Sequence, residues 1–238
     1  MLPPFELDIH THTIVSGHAY GTIREMARAA ADKGLKLLGF AEHGPGIPGA
    51  CDPIYFAALE HAPRKAYGVE LCYGCEINVL EGGKLSLPER YMGMIDYGVV
   101  GIHQNCYVNQ GVEANTENLI SCMRHPRVFL VSHPDDDHTP LDYEKLVAAA
   151  KEYHVALEVN NSSLWKQDRR LNCVRNYETM LALCARRGVP IVVDSDAHDP
   201  LEVGELDLAR DLLERVGFPE ELILNLKTER FKKWIGME

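Results

Sequence analysis

Short apolar runs alternate with amphipathic stretches along most of the chain. Seven runs read as strands: FELDIH, LKLLGFAEH, VELCYGCEI, DYGVVGIH, VFLVSH, VALEVN and PIVVDSDAH. Each is bounded by turn residues or helical patterning, as expected of buried strands. Between them the periodicity predicts helices. The first starts at Thr22, with Glu25 completing a capping box and Gly34 as terminator. Others are expected near 53–66, after an Asp52-Pro53 start, and near 116–124, 141–153, 172–187 and 201–216, with a basic helical tail near 228–235. Ser86 and Glu89 suggest a short capped helix after the turn EGGK. Strand–helix alternation implies parallel strands joined by crossovers. With no Pro/Gly/Ser-rich linker, the pattern predicts one α/β domain over 1–238, a closed or nearly closed βα barrel. An open doubly wound sheet is the competing fold. The chain lacks the Gly-rich phosphate loops of the GxGxxG or GxxxxGK[ST] type that would favour it.

The polar residues stand at the strand ends. Reading along the chain, the strands stop at His10-Thr11-His12, Glu42-His43, Glu76, His103, Ser132-His133, Glu158 to Ser163, and Asp194-Ser195-Asp196-Ala197-His198. In a βα barrel these ends converge on one face, where active sites form. A lone strand histidine is more often a satisfied core residue than a ligand. Here seven of 11 histidines, His10, His12, His18, His43, His103, His133 and His198, fall at or just past strand ends. Seven separate core histidines would each need a buried partner; shared cations satisfy them together. His61, His125, His138 and His154 fall in helices or loops and are read as non-ligands. With Glu76 and Asp196 the set reaches nine ligands, too many for one ion and enough for three if one carboxylate bridges two. Imidazole and carboxylate donors suit divalent zinc, manganese or iron, zinc first.

In the first strand, period-two alternation sends Leu7 and Ile9 to the packing side and Asp8, His10 and His12 to the barrel interior or mouth. Cys72 and Cys75 have CxxC spacing but lie in a strand-like run, and are read as two buried thiols. Seven cysteines, no basic leader and no apolar run near 20 residues point to reduced thiols in a cytoplasmic protein with no membrane segment. The formal net charge is -11, from 24 Lys+Arg against 35 Asp+Glu. So acidic a chain is a poor nucleic-acid binder.

The order DIHTHT, HAYGT, EHGP, GCEIN, GIH, VSHP, ALEVNNSS and SDAH resembles the PHP (polymerase and histidinol phosphatase) superfamily, and most closely its stand-alone bacterial phosphatases with a trinuclear metal site. The resemblance implies a distorted (β/α)7 barrel. It implies that His10, His12, Glu76 and Asp196 hold one metal, that Glu76 bridges to a second completed by His103 and His133, and that His18, His43 and His198 hold a third. It implies hydrolysis of a small phosphomonoester by a hydroxide shared between two metals, with Glu76, Asp196 and His198 as the candidate catalytic residues. Arg169 and Arg170, in the loop after NNSS, are candidate phosphate donors. A phosphodiesterase or 3′ exonuclease, or a non-catalytic metal-binding module, are the alternatives. Two departures stand out. Glu42-His43 replaces the family's usual Asp-His, and the loop after HP reads Asp135-Asp136-Asp137-His138, expected as a solvated acidic tip.

Overall fold

The computed structural model describes residues 1–237. Its parallel path runs through seven strands in chain order: β1 (Leu7–Thr11), β2 (Leu37–His43), β3 (Val69–Leu80), β4 (Tyr97–Gly101), β5 (Val128–Val131), β6 (Ala156–Asn160) and β7 (Ile191–Asp194). Helices are interleaved, and the seven strands curl into a nearly closed barrel. Sequential parallel neighbours are what right-handed βαβ crossovers produce. Two short antiparallel strands, Lys65–Ala66 and Lys84–Leu85, flank β3; the second folds back across the EGGK turn.

Side chains sort onto two faces. One set, with Leu38, Phe40, Tyr73, Cys75 and Ile77, packs against the helices, where Met26, Leu119, Leu146, Met180 and Leu212 meet it. The other set, with Leu37, Ala41, Cys72, Tyr97, Val99, Leu130 and Val192, fills the barrel interior. Phe231 and Ile235, from and just beyond the C-terminal helix Thr228–Trp234, close that interior from below. Cys72 and Cys75 therefore point to opposite faces of β3, as i and i+3 positions of a strand must. All seven cysteines are free thiols.

Six of the seven strand seams are backbone ladders. Between β1 and β7 the described residues show one isolated bridge, Thr11 with Ala197. Side chains complete this seam. Asn225 donates to Leu7 O (3.1 Å) and Val193 O (2.6 Å) and accepts from Val193 N (2.7 Å). Asp194 accepts from Ile9 N at 2.8 Å.

The alternation expected of β1 is corrected by a bulge. Its pairing with β2 shifts by one residue between Asp8 and Thr11. Leu7, in register with Leu37, and Ile9 lie in the interior cluster rather than on the packing side. His10, inserted at the irregularity, still reaches the mouth, and Asp8 instead accepts from Ser195 and Gly204. A bulge places two consecutive residues where strict alternation allows one.

The capping box at Thr22 and Glu25 is present at the start of the helix Ile23–Asp32. Other boundaries move for local reasons. The helix expected to reach 66 ends as a short turn at His61, because Pro63 forces Ala62 into extended backbone. Ser86 caps nothing; its hydroxyl accepts from Asn78 N, and the four-residue helix Glu89–Met92 starts after Pro88. The last long helix spans Asp207–Val216, separated from a turn at Pro200–Glu202 by Gly204, whose φ is +70°. No helix of the described residues is long and apolar enough to cross a membrane.

Candidate active site

The interior phase of each strand, continued to its C-terminal end, delivers the polar residues to one place. Leu37 and Ala41 lead to His43, Cys72 leads to Glu76, and Tyr97 and Val99 lead to His103. Gly101 is required by this approach: a Cβ there would stand 2.3 Å from Ser132 Oγ and 3.3 Å from Glu76 Oε1. Glu76 is fully buried at the centre. Its Oε1 lies 2.8 Å from His133 Nε2, 3.1 Å from His103 Nε2 and 3.4 Å from His10 Nε2. Its Oε2 lies 2.8 Å from His43 Nδ1 and 3.7 Å from His12 Nε2. Asp196 Oδ1 is 3.3 Å from His12 Nε2 and 3.8 Å from His10 Nε2. His18, on the exposed loop after β1, places Nε2 3.1 Å from His198 Nε2 and 3.3 Å from His43 Nε2. All nine predicted ligand residues thus meet in one cluster, with His43 between the Glu76 group and the His18 group.

The donor set fits divalent cations. His10 Nε2, His12 Nε2 and His103 Nδ1 are buried without a hydrogen-bond partner, and His43 Nδ1 and Glu76 Oε2, although 2.8 Å apart, form no hydrogen bond of good geometry. Buried polar atoms are normally satisfied, so five left open in one cluster mark a place for ligands. Three sets have donor atoms lying within 4.8 Å of one another: His10, His12 and Glu76; His43, Glu76 and His103; and His12, His43 and His198.

A surrounding layer holds the rings in place. Glu158 Oε1 meets His10 Nδ1 at 2.6 Å, which turns Nε2 toward Glu76 and Asp196. The other oxygen of Glu158 accepts from His133 N (2.5 Å). Ser16 Oγ meets His12 Nδ1 at 3.0 Å and donates to Glu42 Oε2 at 2.6 Å. Glu42 also takes the Thr13 hydroxyl and amide, so it anchors the whole turn. His198 Nδ1 lies 2.9 Å from Asp196 O, leaving Nε2 to face His18. Such outer partners fix imidazole orientation in metal sites. Glu158 was visible in the sequence only as a polar strand end; its spacing of two from Asn160 was the signal that it faces inward. His133 and Asp196 adopt φ of +29° and +54°, in the left-handed region that non-glycine residues enter uncommonly.

Charge in the cluster is divided. Burial opposes ionisation of Glu76, but His103 and His10 outweigh it and hold its carboxyl well below the usual range. Burial likewise opposes a charged His10, yet Glu158, Glu76 and Asp196 raise its imidazole well above the ordinary value. His12 is pushed well below by burial and by His43 and His198. His18 is lowered by the same causes. The neutral imidazoles among these are the form that ligates a metal.

Beside the cluster runs a cleft of ≈ 310 Å³. Its lining includes His18, His43, His103 and His133, and Ile102, Leu119 and Leu141 supply apolar surface. Arg169 and Arg170 line its mouth, and Lys166, a cation the sequence gave no reason to single out, joins them next to Glu76 and Asp196. Arg169 is 81% exposed while Arg170 is 23% exposed.

The acidic loop is not a solvated tip. Asp135 is fully buried, with Oδ1 3.6 Å from Arg170 Nη1. Burial raises its pKa to about 6, against the opposing pull of Arg170 and His133. Asp136 accepts from Leu171 N and His138 N, and Asp137 accepts from Asn172 and Asn176. Like charges are tolerated here because each carboxylate finds a donor or cation on the neighbouring loop, which sequence spacing alone does not show. The four remaining histidines are engaged elsewhere. His61 pairs with Glu60, His125 with Glu89 and His138 with Asp136, and His154 stacks on Trp234.

A βα barrel carrying a histidine–carboxylate cluster at the C-terminal ends of its strands defines a class of metal-site barrel proteins. Within that class, the model of the PHP domain matches residues 8–167. The chain belongs to the PHP domain family. It is 37% identical over 232 residues to a probable phosphatase of Clostridium novyi, covering 97% of this chain and 94% of that protein. It is 40% identical over 235 residues to a probable phosphatase of Caldanaerobacter subterraneus subsp. tengcongensis, covering 96% and 90%. Its fold is similar to that of histidinol phosphate phosphatase from Lactococcus lactis, solved with zinc, L-histidinol and phosphate. The TM-score is 0.63 at 19% identity, over 91% of this chain and 95% of that one.

Proposed function

We propose that this chain is a metal-dependent phosphatase that hydrolyses a small phosphomonoester at the histidine–carboxylate cluster. That it is a phosphatase rests on its relatives, which match nearly end to end and are named probable phosphatases. The observation that supports the finer reading is the convergence of buried imidazole and carboxylate donors, in three sets whose donor atoms lie within 4.8 Å of one another, with His10 Nε2 and His12 Nε2 left without hydrogen-bond partners.

His10, His12, Glu76 and Asp196 would hold one ion; Glu76, His103 and His133 a second; His18, His43 and His198 a third. Zinc is the first expectation, with manganese and iron also suited to imidazole and carboxylate donors. Divalent ions bound there supply Lewis acidity and lower the pKa of water toward neutrality. The chain's own residues do the rest. Glu76 and Asp196 concentrate negative charge at the ion positions, and Glu158, Ser16 and the Asp196 carbonyl orient the rings of His10, His12 and His198. Arg169 and Arg170 take phosphoryl oxygens through charge-assisted bonds. The apolar wall of the cleft takes the organic part of the ester. A polynucleotide phosphodiesterase is disfavoured by the net charge of -11, which opposes binding of a polyanion. We place the protein in the cytoplasm and treat the chain as one domain.

Elemental analysis together with turnover of an aryl phosphate tests this. Three ions per chain and steady hydrolysis are expected. His18→Ala should lose one ion and spare the other two, whereas His10→Ala should disturb the pair joined by Glu76. Zero or one ion per chain, or a metal-replete protein without turnover, would overturn the proposal.

A further inference from the structure

We propose that Asp135 is a positioning residue that holds the Arg170 guanidinium at the edge of the cluster for a substrate phosphoryl oxygen; this rests on Arg170 being a phosphate donor, as above. Asp135 is 0% exposed, and its carboxylate oxygens form no hydrogen bond of good geometry among the described residues, the Ser163 hydroxyl giving only weak support beside the larger pull of Arg170. A buried carboxylate without compensation is costly. The cation beside it is Arg170, whose Nη1 stands 3.6 Å from Oδ1. That separation is an ion pair rather than a hydrogen bond. It fixes where the positive charge sits without using up the N–H groups, which remain available for a second anion in the cleft.

The backbone around Arg170 is held by the same loop. Asp137 N donates to Leu171 O (3.0 Å), and Leu171 N donates to Asp136 Oδ1 (3.1 Å). Asn176 Nδ2 donates to Asp135 O and to Asp137 Oδ1, both at 2.8 Å. Arg169, one residue earlier, is 81% exposed and pairs with Asp168 at 3.8 Å, on its own loop, rather than with a buried carboxylate. An oriented guanidinium loses less freedom on binding phosphate than a free one. The acidic run thereby turns one of two adjacent arginines into a fixed donor.

The test uses the full, metal-loaded chain with an aryl phosphate as substrate and inorganic phosphate as competitor. Asp135→Asn should raise KM and the phosphate inhibition constant together, by about tenfold, with kcat within about threefold and the ion count unchanged. Arg170→Gln should raise both constants at least as much, and adding Asp135→Asn to it should change nothing further. An unchanged KM in Asp135→Asn, beside a raised KM in Arg170→Gln, removes Asp135 from this role and leaves Arg170 as phosphate donor. No change in Arg170→Gln removes both. If Asp135→Asn alone does not fold, the neutral pair Asp135→Asn/Arg170→Gln decides. Equality with Arg170→Gln supports the role, and a further rise in KM overturns it.

Discussion

The two ends of the barrel bury polar groups to opposite effect. At the floor, Asn225 spends both ends of its amide on Leu7 and Val193, and its carbonyl accepts from Glu6 N at 2.8 Å. Glu6 accepts from Thr228 N and Lys36 Nζ, and Tyr97 OH donates to Ile9 O across the interior. At the mouth, five buried atoms of His10, His12, His43, His103 and Glu76 form no hydrogen bond of good geometry. Satisfied polar groups specify a single closed structure; unsatisfied ones keep a cost in reserve that a bound cation relieves. The same residue chemistry therefore builds the frame at one end and waits for ligands at the other.

That division should survive damage to either end separately. Glu76→Gln is the severest break at the mouth. It removes the charge that all the surrounding imidazoles share, while the amide retains the shape. We expect loss of bound metal and a fall in aryl phosphate turnover on the order of a thousandfold, with the far-ultraviolet circular dichroism of the barrel retained. A Glu76→Gln protein that keeps its full ion count would show that the cluster does not depend on its central carboxylate. At the floor, Asn225→Ala strips three side-chain bonds from a fully buried seam. A loss of about 2–4 kcal/mol in urea unfolding is expected, with the ions per chain unchanged in the folded protein. Normal stability with missing ions would dissolve the distinction between the two ends.

Much of the mouth was legible along the chain because it depends on local order. A period-two strand that ends in His or Glu announces where that group points, and seven such strands in series imply one converging face. What depends on closure was not legible. The bulge in β1 lets His10 reach the mouth although Leu7 and Ile9 also face inward, and nothing in LDIHT marks it. The role of Asn225 requires β1 and β7 to meet across a gap of more than 180 residues in sequence. The Asp135–Arg170 pair joins two loops whose approach is set by neighbouring strands. Asp135, Asp136 and Asp137 read as solvated precisely because like charges in sequence look mutually repulsive until the opposite loop is in view. Glu158 lay between these cases: its inward phase was readable, its grip on His10 was not.

The smallest effect sharpens the comparison with a titration at the floor alone. Lys36 lowers the pKa of Glu6 to about 2 from a usual 4.5, against desolvation and with further help from Thr228 N. A carboxyl whose folded pKa is depressed stabilises the fold above its unfolded pKa and loses that contribution as pH falls toward the folded one. Glu6 should therefore stabilise fully above about pH 4.5 and progressively less down to about pH 2. Glu6→Gln should be less stable than the parent at neutral pH by about 1 kcal/mol or less, since the Lys36 pair lies against solvent. The gap should close as the pH falls through that window. Urea midpoints of the two metal-free proteins, measured in parallel, isolate this effect, because the histidine cluster titrates alike in both. A gap that stays constant with pH would mean that Glu6 holds the floor through packing and its amide contacts, with its charge contributing nothing.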